Sequence, residues 1–298
     1  MLRIKHRCYA DRQAGATTVP QAVRPVLALH SSAATGGQWK SLAAALDGIA
    51  PVIAPDLPGY GRAAFRDGRR GEPASLAADA AAVLRTFGEG ASAFHLVGHS
   101  YGGAVALRIA LDHPTRVRSL TLIEPVLFHL LPLAGGVEDL KLYRGILGVR
   151  DRLRGAVAAG WPAHGMAAFV DFWNGAGSWD GIAVEQRQRL AGQARAVLDN
   201  FTAVLDESWP VTDVARLGCP LLTITGAQSQ AVARQVTDRI LDAVPAVTAA
   251  RIFRAGHMSP LTHAATVNAL IERHIRLAEA VEGPAARAPV FRRTSAAA

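Results

Sequence analysis

The residue best equipped for chemistry is Ser100, in the run Gly98-His99-Ser100-Tyr101-Gly102. A serine hydroxyl is a weak nucleophile at neutral pH and needs an adjacent base, itself oriented by a third group. The setting of the pentapeptide matters more than its letters. The apolar run Phe94-His95-Leu96-Val97 precedes it, and an Ala-rich helical pattern from Gly103 to Ala110 follows. A sharp strand-to-helix turn at that point lifts the Ser100 hydroxyl above a sheet. The helix N-terminus then offers backbone N–H groups where an oxyanion develops. Glycines flank the serine because a tight, packed turn leaves no room for Cβ atoms. Among ten histidines, the best-placed base is His257, in the loop Arg254-Ala255-Gly256-His257-Met258 between the last strand pattern and the last helical one. His263 and His274 lie in the helical pattern after it and read as surface or packing residues. His30, at a strand end, and His99, inside the turn, read as backing groups.

These residues must be carried by something rigid. Short, near-continuous apolar runs at Val26–Leu29, Val52–Ala54, Phe94–Val97, Leu120–Ile123, Leu221–Ile224 and Arg251–Phe253 read as strands buried on both faces. Helical patterns lie between them, near 38–47, 75–87, 102–112, 231–242 and 262–280. The alternation predicts a mostly parallel sheet with helices on its faces. In such a sheet the loops after the strands share one edge, which brings Ser100 and His257 to the same side. From Val126 to Ser208 the alternation stops. That stretch has no strand pattern and is rich in aromatics, among them Phe128, Phe169, Phe172, Trp173 and Phe201. More than eighty residues exceeds a normal crossover, so an inserted helical cap is expected. Before residue 25 the strand signal is weak and the leading edge is expected to be abbreviated. The tail from 281 to 298 reads as disordered.

Composition narrows the function classes. The chain has 298 residues, half of them hydrophobic and 19% charged, enough for a sizeable core. The net charge is +8, but the arginines are scattered without a basic stripe, so nucleic acid is not an expected partner. No run is long and apolar enough for a membrane span, and the N-terminus has no apolar signal region. The two cysteines, Cys8 and Cys219, read as reduced, which with the rest predicts a cytoplasmic protein. No metal-ligand spacing and no glycine-rich phosphate loop appears, so no cofactor and no metal is expected. The sequence carries no signal of oligomeric state.

Four segments together resemble the α/β-hydrolase fold over about residues 20–278. They are Leu29-His30-Ser31-Ser32, Pro55-Asp56-Leu57-Pro58-Gly59-Tyr60-Gly61, the Gly-His-Ser-Tyr-Gly-Gly turn, and Ala255-Gly256-His257. The resemblance implies an α/β chain with a mostly parallel central sheet, helices on both faces and an inserted helical cap. Residues 1–125 and 209–280 would form the core, and 126–208 the cap. It implies a serine hydrolase with Ser100 as nucleophile and His257 as base. Its oxyanion hole would use the backbone N–H groups of Tyr101 and Ser32, with a hydroxyl of Ser31 or Ser32 as a further donor. Trp39 matches an aromatic packed beneath that loop.

The resemblance also exposes a departure. The family's acid most often follows the next-to-last strand, where this chain has Gly226-Ala227-Gln228-Ser229-Gln230, with Ser229 at the expected position. A serine cannot supply the charge that stabilises an imidazolium. Part of the family places the acid one strand earlier, and here Leu122-Ile123 is followed by Glu124. Asp56 is a rival, though it reads better as a brace of the Pro-Gly-Tyr-Gly turn, and Asp199 and Asp206 in the cap are others. The expected activity is cleavage of a small apolar ester or thioester through an acyl-enzyme on Ser100, with Glu124 as relocated acid. The alternatives are carbon–carbon bond hydrolysis or acyl transfer on the same fold, or a ligand-binding module with a degenerate triad.

Overall fold

The computed structural model describes residues 3–5, 24–63, 74–88, 93–244 and 246–280. Seven strands are present: β1 (Arg3–Lys5), β2 (Val26–Leu29), β3 (Val52–Ile53), β4 (Phe94–His99), β5 (Val117–Ile123), β6 (Leu221–Gly226) and β7 (Thr248–Ile252). They form one sheet in the order β1-β7-β6-β5-β4-β2-β3. All neighbours are parallel except β1, which pairs antiparallel with β7. Among the described residues before β2 there is one short strand, β1, laid against the last strand; the rest of the leading segment expected to be abbreviated lies outside them. The expected tail at 281–298 lies outside the described residues.

Alternation along the strands divides the core in two. Leu27, Leu29, Leu96, Leu120 and Leu122 face helices α2 (Leu76–Phe87), α3 (Tyr101–Asp112) and α9 (Ala231–Ala243). Val26, Ala28, Val97, Ile123, Leu222 and Ile224 face α1 (Lys40–Ala45) and α11 (Ala264–Ala280). The period of two explains why strands that read as continuous apolar runs serve two cores at once. The last helical pattern, 262–280, is broken at His263: a short α10 (Ser259–Thr262) precedes α11. His274 is buried on α11, a packing residue as expected.

Between β5 and β6 lie α4 (Leu130–Ala134), α5 (Val137–Ala158), α6 (Pro162–Asn174), α7 (Val184–Gly192) and α8 (Ala194–Leu205), with no strand among them. Their buried faces, with Ile146, Leu153, Met166, Trp173, Val197 and Phe201, join the core on the α2/α3/α9 side. A polar tie adds to this. Arg239 of α9 holds Asp139 of α5 through Nη2–Oδ2 (2.5 Å) and Nε–Oδ1 (3.1 Å), and Gln235 Nε2 adds 2.8 Å.

The chain changes direction across the sheet between β2 and β4. It runs outward to β3 on one side and through β5, β6 and β7 on the other. Such a reversal leaves a crevice at the carboxyl ends of the strands, and the Ser100 turn sits at its rim. The turn is tight. A Cβ on Gly98 would overlap the Gly102 carbonyl, and one on Gly102 would overlap the Leu29 and His30 carbonyl oxygens. Backbone cannot retreat as a side chain does, so Gly102→Ala is expected to cost at least about 2 kcal/mol. Gly145, inside α5, has nothing within 4 Å of an added Cβ, so Gly145→Ala is expected to stabilise by about 0.5–1 kcal/mol. Urea unfolding midpoints measure both, and shifts of equal sign would contradict this description of the turn.

Candidate active site

Ser100 joins β4 to α3 with φ 55° and ψ −117°, a left-handed backbone that a non-glycine residue adopts only under constraint. The constraint is visible: its N–H donates to Ile123 O (2.9 Å), and its carbonyl accepts from Gly103 and Ala104 N–H (2.9 and 3.2 Å). The strain aims the side chain at His257. Nε2 of His257 lies 3.0 Å from Ser100 Oγ, and Nδ1 lies 2.7 Å from Glu124 Oε2. All three residues are buried. Sequence reasoning named each of them, and the structure brings them together in one line.

Glu124 caps β5 with φ 45°, again left-handed. Between its strand and the His257 loop stands the end of β6. Adjacent strands are about 4.8 Å apart, so a carboxylate on β5 has a longer reach than one on β6, and Glu supplies a methylene that Asp lacks. The end of β6 is occupied by donors. Gly226 N–H donates to Oε1 (2.7 Å) and the Ser229 hydroxyl donates to the same oxygen. Burial pushes the Glu124 carboxyl up, but the His257, Ser229 and Gly226 hydrogen bonds outweigh it and hold the group below the usual carboxylate range. Ser229, at the position where the resemblance places an acid, therefore acts as a donor to the Glu124 carboxylate. Two of the rivals are occupied elsewhere. Asp56 accepts from Gly36 and Arg62 N–H (2.7 Å each), bracing its turn as expected, and Asp199 pairs with Arg195 (3.3 Å).

The loop after β2 is held from both sides. Ser31 donates through N–H and Oγ to Gln38 Oε1 (3.2 and 3.1 Å), and Ser32 Oγ donates to Asn200 Oδ1 of α8 (2.8 Å). In this arrangement both hydroxyls donate within the protein, to Gln38 and to Asn200. His30 backs the loop, with Nδ1 donating to Ser31 O (2.7 Å) and Nε2 accepting from Leu57 N–H (2.8 Å). His99 Nε2 donates to His257 O (2.9 Å). Tyr101 Oη donates to the buried Asp79 (2.6 Å), which anchors the first turn of α3. Trp39 is buried in the core beneath, as expected.

Two contributors escaped sequence reading. Trp173 of α6 stacks on His257, with ring centroids 4.1 Å apart and an interplanar angle of 25°. Nothing in the sequence distinguishes it from the other aromatics of 126–208. Asn200 left one signal, a polar residue on the otherwise apolar buried face of α8. Among the described residues no group of three or more His, Cys, Asp or Glu side chains gathers as a metal site, and no helix is long and apolar enough to cross a membrane. Cys219 is half-buried, and burial pushes its thiol up to about 12; Cys8 lies outside the described residues.

A parallel sheet whose order reverses beside a strained serine turn, with a histidine loop on the same edge, defines an α/β-hydrolase fold. Residues 26–270 match the alpha/beta hydrolase family, and the chain belongs to it. Among curated relatives, the dihydrolipoyllysine-residue acetyltransferase component of the acetoin cleaving system of Cupriavidus necator is 28% identical over 272 residues, 90% of this chain and 66% of that protein. Lipase LipV of Mycobacterium tuberculosis is 36% identical over 155 residues, 51% of this chain and 54% of that protein. The chain thus spans less than two thirds of either relative. Carboxylesterase CesB of Bacillus subtilis shares the fold with a TM-score of 0.64 at 20% identity, covering 86% of this chain and 85% of that one.

The buried histidines set an acid limit on the fold. Burial lowers His30, His129 and His274 to about 4 and His99 to about 3. Each is neutral when folded, whereas in the unfolded chain it takes a proton below about pH 6.5. Stability is therefore complete above that pH and falls as the pH drops toward the folded values, by up to about 1.4 kcal/mol per pH unit per histidine. The denaturation midpoint is expected to drop between pH 7 and pH 5; a flat profile would contradict these neutral histidines.

Proposed function

We propose that this protein is a serine hydrolase that cleaves a carboxylic ester or thioester with a small apolar acyl or alcohol group. The observation that carries the reading is the line from Ser100 Oγ through His257 to Glu124, with both hydrogen bonds at 3.0 Å or less. Ser100 attacks the carbonyl carbon while His257 Nε2 takes its proton, and Glu124 stabilises the resulting imidazolium. The oxyanion is received by the backbone N–H groups of Tyr101 and Ser32. His257 then gives its proton to the leaving alcohol or thiol. A water, deprotonated by His257, attacks the acyl-enzyme and releases the acid. Helices α4–α8 serve as the cap, and Trp173 stacked on His257 supports an apolar, water-poor site beneath them. The similarity to a lipase supports an ester substrate.

A fluorophosphonate is expected to label Ser100 and to leave Ser100→Ala unlabelled; a folded wild-type protein that resists the reagent would refute the reading. Glu124→Gln is expected to lower kcat by about 10³–10⁴-fold, the scale of losing a triad carboxylate. Glu124→Asp should lose most of that as well, because its carboxyl falls a methylene short of His257. Unchanged rates in both variants would move the acid elsewhere. Product analysis with water and a competing alcohol separates hydrolysis from acyl transfer.

A further inference from the structure

The amide of Asn200 is only half used. Its Oδ1 accepts from Ser32 Oγ (2.8 Å) and from Tyr60 Oη, while Nδ2 is buried and has no partner among the described residues. The orientation of the amide follows from its donors. Tyr60 is fully buried, and its hydroxyl and that of Ser32 both lie within hydrogen-bond reach of Oδ1, each with a proton to give. Two donors fix the oxygen end and leave the NH2 end free. The rest of the buried face of α8 is Ala194, Ala196, Val197, Phe201, Ala203 and Val204. A lone half-satisfied amide on such a face is costly; leucine would pack there without that cost.

Its position is beside the chemistry. Ser32 belongs to the loop proposed to receive the oxyanion, so the amide is one side chain away from that loop. On the other side, the adjacent residue Phe201 stacks with Phe128 (6.4 Å), Phe128 with Trp173 (6.4 Å), and Trp173 with His257 (4.1 Å). Asn200 thus bonds the loop directly and is adjacent in sequence to the first of these rings.

We propose that Asn200 reads the substrate: its free N–H groups bind a second, neutral oxygen of the ester, a keto, hydroxyl or ether oxygen a few bonds from the scissile carbonyl. The substrate class is then an oxygen-bearing ester rather than a plain hydrocarbon one. A donor-only group selects an acceptor, and a site built to hydrogen-bond a substrate oxygen discriminates against analogues that leave its polar group unpaired. This rests on the ester-hydrolase reading of Ser100 and refines it.

The test compares kcat/KM for matched esters: ethyl 3-oxobutanoate and ethyl 3-hydroxybutanoate against ethyl butanoate, and 2-methoxyethyl butanoate against butyl butanoate. Each ratio is measured in the wild type and in Asn200→Leu. Intrinsic reactivity and any loosening of the Ser32 loop act on both members of a pair and cancel in the comparison. At least one oxygen-bearing ester is expected to lose about tenfold of its advantage in the variant, the scale of one hydrogen bond to a buried group. Ratios that stay the same in the variant for every pair would overturn the proposal while leaving the hydrolase reading intact. A wild type that hydrolyses none of the esters would overturn both. If Asn200→Leu does not fold, Asn200→Ala, which adds no volume, gives the same ratios.

Discussion

A carboxylate buried at the end of a sheet strand is the constraint around which this site is arranged. Removing such a charge from water costs several kcal/mol unless its lone pairs are used. Glu124 is fully buried, and three donors meet it: the Gly226 N–H, the Ser229 hydroxyl and the His257 ring. Each donor fixes something further. Gly226 ends β6 in a place where a Cβ would overlap the Ala255 carbonyl, so the His257 loop is packed directly on the strand that feeds the carboxylate. His257 in turn is held at its carbonyl by His99, from inside the serine turn. Glu124, His257 and Ser100 thus form one connected polar network at the end of an apolar sheet, where a partly satisfied network would be worse than none.

The second organising feature is contact between the 126–208 helices and that network. It has an apolar arm and a polar arm. Trp173 lies on the face of the histidine ring, and Asn200 holds the Ser32 hydroxyl. The Asp139–Arg239–Gln235 tie anchors the same helices to α9 at another point. The helices therefore meet the sheet through specific side chains and not only through a general apolar interface.

Much of this was legible in the sequence because the signals were local. Ser100 announces itself through glycines at fixed offsets, and a strand-to-helix change can be read from periodicity alone. His257 follows from its place after the last strand pattern. Glu124 was legible by its cost, a carboxylate at the end of Leu122-Ile123 that needed a partner. What stayed hidden depends on distance in space. Periodicity says that α6 buries a face but not that Trp173, among nine phenylalanines and five tryptophans in the chain, is the ring on His257. The acceptors of the Ser31 and Ser32 hydroxyls, Gln38 and Asn200, are 7 and 168 residues away and could not be read from the local sequence. The short α10 before His263 was missed because a single turn of four residues leaves no periodicity to read.

Placing the charge on β5 changes what the β6–α9 turn has to be. In a chain whose acid sits in that turn, the backbone there must hold a charged group to within a fraction of an ångström of the imidazole. Here the turn contributes one amide proton and one hydroxyl proton, both delivered to a side chain rooted in a different strand. Its obligation is therefore to deliver protons and not to hold a charge. The exposed positions Ala227 and Gln228 are accordingly where this turn can absorb sequence drift most cheaply, whereas Ser229 is tied to the carboxylate.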